Sequence, residues 1–169
     1  MSQGPTYKKK FKRRMEGKTN YVKRLSLLKS KLPRIIVRKS NKHFVVQAVK
    51  YEKTGDKVIA GVSSKALKKL GWEPKMNLPT AYLTGLYLGI KVKGKVDQAV
   101  LDLGIQTSFL GGRLFACLKG LLDSGIKLPF DEKALPSKDR IEGKHISEEK
   151  VKAFNDFKAK LLKGVKANE

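Results

Sequence analysis

Apolar residues recur along this chain in two different periods, and the changes of period mark its elements. Between Arg34 and Tyr51, the runs Ile35-Ile36-Val37 and Phe44-Val45-Val46 flank a polar tip, Lys39-Ser40-Asn41-Lys42. β-Branched and aromatic runs on either side of a short polar break predict a hairpin. Thr54-Gly55-Asp56 is a turn signal, and Lys57–Ser63 then alternates Val58, Ala60 and Val62 against Ile59 and Gly61. A three-stranded antiparallel meander follows. Its apolar residues fall on both strand faces, so both sides of the sheet are expected to be at least partly covered. Gln98–Ile105 reads as one more, buried strand. A long helical crossover leads to it from the meander, which makes it parallel to a meander strand.

The helical period appears in four main places. Thr19 is a candidate N-cap for a run in which Tyr21, Leu25, Leu28 and Leu32 fall at i, i+4, i+7 and i+11. That narrow stripe predicts a helix packed on the sheet, with Lys23, Arg24, Lys29 and Lys31 turned outward and Pro33 ending it. Ser64–Leu70 predicts a short helix stopped by Gly71, with Trp72 and Met76 in the next loop as plugs for the core edge. Asn77 and Pro79 open a helix that is apolar nearly all round, through Ala81, Tyr82, Leu83, Leu86, Leu88 and Ile90. Such a helix is central and buried. Its Gly85 and Gly89 share one face and permit close packing, expected against the sheet. Gly111-Gly112-Arg113 opens a further helix, Leu114–Ser124, with the stripe Leu114, Leu118, Leu121 and Gly125 at its close. From Leu128 to Ile146 the period fades into an irregular arm punctuated by Pro129, Pro136 and Gly143. Ser147 then caps a last helix carrying Val151, Phe154, Phe157 and Leu161, expected to finish before Gly164.

The fold class is therefore α/β: a small mixed sheet, a three-stranded antiparallel meander plus one parallel strand, packed with helices. A basic N-terminal tail (1–18) precedes the globular domain (19–128), and an irregular arm with a C-terminal helical extension (129–169) follows it. A length of 169 residues suits one domain with tails.

Charge changes the picture most. The chain holds 38 Lys and Arg against 15 Asp and Glu, a formal charge of +23. Residues 1–50 hold 16 of the cations and a single acid, Glu16, while residues 51–169 hold 22 cations and 14 acids. An excess this large opposes compaction, and a polyanion partner accounts for it. The N-terminal third is where that partner is met. No stretch pairs a basic face with a broad apolar one, and the apolar run Leu78–Ile90 is too short to span a bilayer. Nucleic acid is thus a better partner than a membrane. The N-terminus has no apolar signal core, so an intracellular protein is expected.

Residues 1–18 have no usable hydrophobic period, and seven of them are Lys or Arg. Such a segment is expected to be disordered until it meets its partner. Tyr7 and Phe11 stand among Lys8, Lys9, Lys10, Lys12, Arg13 and Arg14, a mixture of rings that stack on bases and cations that pair with phosphates. A solubilising tail or a localisation signal would share that composition. At the hairpin tip, Arg38, Lys39, Lys42 and His43 crowd with Ser40 and Asn41 and no acid, which suits phosphate oxygens. A solvated charged turn that blocks edge pairing would look the same. The Gly111-Gly112-Arg113 start leaves backbone N–H groups and Arg113 open to an anion; plain turn geometry explains the same residues, and no nucleotide-loop spacing is present.

Enzymatic readings find little support. A metal-dependent nuclease needs clustered carboxylates, yet Asp97 and Asp102 fall on opposite faces of one regular strand, and Asp56 and Asp123 lie at a turn and a helix end. Asp102 fits better as an acceptor for loop N–H groups at its strand end. His43 and His145 have no obvious nucleophile beside them. Two histidines and one cysteine are too few for a structural zinc site, so no metal and no cofactor is expected. Cys117, among apolar neighbours, is expected to be a buried thiol.

The segments GPTYKKKFKRRMEGKTNYVKRLSLLKS, PRIIVRKSNKHFVVQAV, LPTAYLTGLYLG, AVLDLG and RIEGKHI, in this order and spacing, resemble the archaeal-type L-eighteen family of large-subunit ribosomal proteins. The resemblance runs from about Gly4 to Ile146. It implies a small α/β sandwich with a mixed sheet that binds 5S ribosomal RNA in the central protuberance of the large subunit, in the cytoplasm. Its implied partners are 5S rRNA, large-subunit rRNA and neighbouring large-subunit ribosomal proteins. It implies RNA contact at Tyr7–Arg14, Arg24 and Arg38–His43. A general RNA chaperone and a nuclease are the alternatives, separated by preference for 5S rRNA and by whether carboxylates meet.

Overall fold

The computed structural model describes residues 4–166; residues 1–3 of the expected tail and 167–169 of the C-terminal segment lie outside it. In chain order a helical turn, α1 (Lys12–Met15), and α2 (Tyr21–Leu28) lead into β1 (Arg34–Lys39), β2 (Phe44–Glu52) and β3 (Gly55–Ser63). Then come α3 (Lys65–Lys69), α4 (Leu78–Val92), β4 (Val100–Asp102) and α5 (Arg113–Asp123). A 3₁₀ turn (Glu132–Ala134), α6 (Lys138–Glu142) and α7 (Glu148–Lys166) complete the described residues.

The sheet has the order β3-β2-β1-β4. β1, β2 and β3 form the antiparallel meander, and β4 runs parallel to β1 with Val100 opposite Arg34. The mixed sheet is the expected one. Its parallel strand is shorter than Gln98–Ile105 at both ends: Gln98 and Ala99 pair with Lys127 instead, and Gly104 at φ +62 turns the chain out of the sheet.

Side-chain alternation gives the sheet two unlike faces. Ile35, Val37, Phe44, Val46 and Ala48 point one way and are fully buried in a cluster with Ala81, Leu88, Leu118 and Leu121. α4 owes its place there to composition: Asn77 caps it by accepting from the Thr80 N–H at 3.1 Å, and twelve of its fifteen residues are buried. The close packing allowed by its glycines is helix on helix, not the expected helix on sheet. A Cβ on Gly85 would lie 2.2 Å from the Cys117 carbonyl oxygen, and one on Gly120 of α5 would lie 2.2 Å from the Tyr82 carbonyl oxygen. Cys117 is fully buried between them, and burial pushes its thiol up to about 12.

A second apolar cluster joins Leu67, Tyr82, Leu83 and Leu86 to Ile141, Phe154, Phe157 and Leu161. α7 therefore docks on the back of α4. Trp72 closes this cluster, its ring 5.4 Å from that of Phe157 and its indole N–H donating to Thr80 Oγ1 at 3.0 Å. Ser147 lies just before α7 as expected, accepting from the Lys150 N–H at 3.4 Å, but the helix runs through Gly164 to Lys166 instead of stopping. The arm read as irregular holds the 3₁₀ turn and α6, the latter between Pro136 and Gly143, which read as loop punctuation.

Candidate nucleic-acid interface

The other face of the sheet adds charge to hydrocarbon, with Arg34 and Arg38 beside Ile36, Val45 and Val49. Arg34, Ile36 and Arg38 alternate along β1 with Ile35 and Val37, and Asp102 of β4 comes up beside them. Arg34 is 1% exposed. A cation so buried requires partners, and it has two: Nη1 donates to Asp102 at 2.9 Å and Nη2 to Asp56 at 2.7 Å. Its Nε has no hydrogen-bond partner among the described residues. Arg38 donates to the Asp102 carbonyl at 2.7 Å and to its carboxylate at 3.2 Å, and its guanidinium lies over Gly104, where a Cβ would come within 2.8 Å of it. Asp102 also accepts from the Gly104 N–H at 2.8 Å, the strand-end role read from the sequence.

Arg24 extends the network from α2, donating to both carboxylate oxygens of Asp56 at 2.9 Å. Burial acts to raise the Asp56 carboxyl, but hydrogen bonds and charge from Arg34 and Arg24 outweigh it and hold the group below its ordinary 3.8. Its contribution to stability is thus present above that ordinary value and lost as pH falls through the depressed one. Three guanidiniums share two carboxylates, so the network stays cationic. It floors a groove of about 260 Å³ whose walls add Arg13 and Lys18 from the tail and Lys23 from α2.

Ion pairing, rather than an apolar stripe, is what fastens α2. None of its residues is buried, and Leu25, expected to face the sheet, is 59% exposed. Its cap is Asn20, which accepts from the Lys23 N–H at 3.1 Å, and not Thr19, whose hydroxyl instead accepts from Arg13 at 3.0 Å. The helix ends at Leu28, short of Pro33, where Lys31 turns the chain at φ 58.

The residues expected to contact RNA divide into free and engaged groups. Tyr7, Lys8, Lys9, Lys10, Phe11, Lys12, Arg13 and Arg14 are all exposed. Phe11 rests against Tyr21 with ring centroids 5.1 Å apart. At the tip, Asn41 and Lys42 are exposed, whereas Ser40 closes the turn: its hydroxyl donates to the His43 carbonyl and accepts from the His43 N–H, both at 3.0 Å. Arg24 and Arg38 are held by carboxylates. Arg113 is exposed and donates to the Met76 carbonyl at 3.1 Å.

Sequence reasoning missed Arg34, Asp56, Lys18 and Lys23. The available signal for the first was its parity with Arg38 in a strand otherwise apolar; nothing local marks Asp56 as its partner across the sheet. Among the described residues no His, Cys, Asp or Glu group is arranged to hold a metal ion, and no helix is long and apolar enough to cross a membrane.

Comparison with known families matches residues 5–98 to the one described as ribosomal large subunit proteins 60S L5 and 50S L18. The chain is similar to large ribosomal subunit protein uL18 of Korarchaeum cryptofilum, 48% identical over 149 residues that cover 87% of this chain and 76% of that one. It is also similar to large ribosomal subunit protein uL18 of Methanoregula boonei, 41% identical over 167 residues covering 98% of this chain and 93% of the relative.

Proposed function

The chain belongs to the uL18 family of large-subunit ribosomal proteins, and we propose that its task there is to bind 5S rRNA and help anchor it in the central protuberance. Family membership makes it a structural component of the ribosome, and so of the cytoplasm, rather than an enzyme, with ribosomal RNA and ribosomal proteins around it. The observation that carries the finer reading is the groove in which Arg13 and Lys18 of the tail, Lys23 and Arg24 of α2, and Arg34 and Arg38 of β1 converge. Tail, α2 and β1 thus reach one side of the molecule, where a single folded RNA can take all three.

The roles divide. Lys8, Lys9, Lys10, Lys12, Arg13 and Arg14 neutralise phosphates, and Tyr7 and Phe11 pack on nucleotides. The tip residues Lys39, Asn41, Lys42 and His43, positioned by Ser40 and the Arg38–Asp102 pair, grip folded RNA by its shape. Residues 1–18 are the basic tail that meets the RNA, and 19–128 the domain that presents the groove. The test is a binding titration against labelled 5S rRNA with tRNA as competitor, repeated over a range of salt. Preference for 5S rRNA is expected. Removal of residues 1–14 deletes six cations and lowers the log–log salt slope by roughly four units, at about 0.7 per neutralised phosphate. Equal binding to tRNA, or an unchanged slope, overturns the proposal.

A further inference from the structure

We propose a second RNA site on the opposite side of the hairpin, a seat for one unpaired nucleotide of the same 5S rRNA. Lys39 follows Ile35 and Val37 in strand parity, so it leaves the sheet on the helix side, away from Arg38. There it lines a cavity of about 210 Å³ together with Arg113 of α5 and Arg140 of α6. The three cations come from three separate elements, and no acid lines the cavity with them. Among the described residues none of the three enters an ion pair, in contrast to Arg24, Arg34 and Arg38 across the sheet. Asp139, next to Arg140 in the chain, is taken by Lys144.

The same cavity is lined by Thr107, Ser108 and Phe109. Phe109 is 69% exposed, a large ring held at the surface beside unpaired cations. Its loop is fixed to the hairpin: Gln106 accepts from the Lys39 N–H at 3.1 Å and donates to the Lys39 carbonyl at 2.7 Å. A ring beside cations and hydroxyls matches the parts of a nucleotide, with the base stacked on Phe109, the phosphate among Lys39, Arg113 and Arg140, and the 2′-hydroxyl within the reach of Thr107 or Ser108. A paired base offers no free face, so the ligand is a looped-out or single-stranded nucleotide. Together with the groove, the seat makes the hairpin a wedge held by RNA on both sides.

This site rests on the 5S rRNA reading, and the experiment separates the two. The full chain, an Arg113→Ala/Arg140→Ala variant, Phe109→Leu and Phe109→Tyr are titrated against 5S rRNA over a range of salt, with thermal melting as the check that each is folded. The double variant is expected to lose about 1.4 units of log–log slope, two contacts at about 0.7 each. Phe109→Leu is expected to weaken binding at least about five-fold at every salt concentration with the slope kept, and Phe109→Tyr to retain affinity. Folded variants that bind 5S rRNA as the parent does overturn the second site alone. A parent chain without preference for 5S rRNA over tRNA overturns the reading beneath it.

Discussion

The two faces of the same four strands are built on opposite principles. On the helix side, Ile35, Val37, Phe44 and Val46 are sealed under α4 and α5. On the other, Arg34 and Arg38 meet Asp102 and Asp56, and α2 is tied down through Arg24. Hydrocarbon burial is non-directional and grows with area, so the first face supplies stability and tolerates many arrangements of the same volume. A buried ion network loses much of its Coulomb energy to desolvation. What it gives instead is direction: each guanidinium has one place to be. A cationic face without an apolar core of its own gains geometry from this arrangement, and its excess of cations over acids leaves it net positive.

The largest effect expected from a single change lies at the helix interface. Gly120→Ala would ordinarily favour a helix interior by close to 1 kcal/mol. Here the new Cβ would meet the Tyr82 carbonyl oxygen at 2.2 Å and the Leu86 nitrogen at 2.8 Å. α4 and α5 must part, and a loss of about 3 kcal/mol is expected in urea unfolding. A neutral or stabilising result would show that the helices are not fixed at this distance, and the contrast between a rigid apolar side and a directed ionic side would lose its first half.

Arg34→Met comes next. Removing one partner of a buried pair commonly costs about 3–5 kcal/mol, because the other charge is stranded. In this network neither acid is stranded. Asp56 keeps Arg24, and Asp102 keeps Arg38 and the Gly104 N–H. The expected loss is therefore smaller, about 2 kcal/mol by the same urea titration, with Arg24 and Arg38 less well held. A loss as large as that of Gly120→Ala would mean that the ionic face carries stability on equal terms.

The apolar side was the legible one. Apolar runs bounded by turn and cap signals located the hairpin, the third strand, α4 and α5, because a buried face keeps the residues that line it apolar. The parallel strand was found but overextended, since a glycine turn inside an apolar run leaves the run unchanged. The ionic side was legible only in part. Arg38 was singled out for its charge, yet its partner Asp102 is far away in sequence, and Asp56 sits in a turn that looked sufficient in itself. Pairing across a sheet leaves no local period. α6 is no shorter than α3, which was legible, but it lies between Pro136 and Gly143 in a stretch where those residues read as loop punctuation and not as helix bounds.

The smallest expected effect is also the one that best separates periodicity from packing. Tyr21, Leu25 and Leu28 have the spacing of a core stripe, and a helix held by such a stripe would be damaged by a charge in its middle. Leu25 is 59% exposed, and no residue of α2 is buried. The helix is fastened instead by the two bonds from Arg24 to Asp56 and by the Asn20 cap. Leu25→Lys leaves all of these in place, removes little apolar surface from shelter and keeps helix propensity nearly constant. The change in unfolding free energy is therefore expected to stay within about 0.5 kcal/mol. On the proposed RNA-facing side an added cation raises 5S rRNA affinity at low salt and steepens the salt slope by no more than about 0.9. A loss above 1.5 kcal/mol would mean that α2 packs through its stripe after all. The second face would then be a second apolar layer, and the ion pairs beneath it an accompaniment rather than its cause.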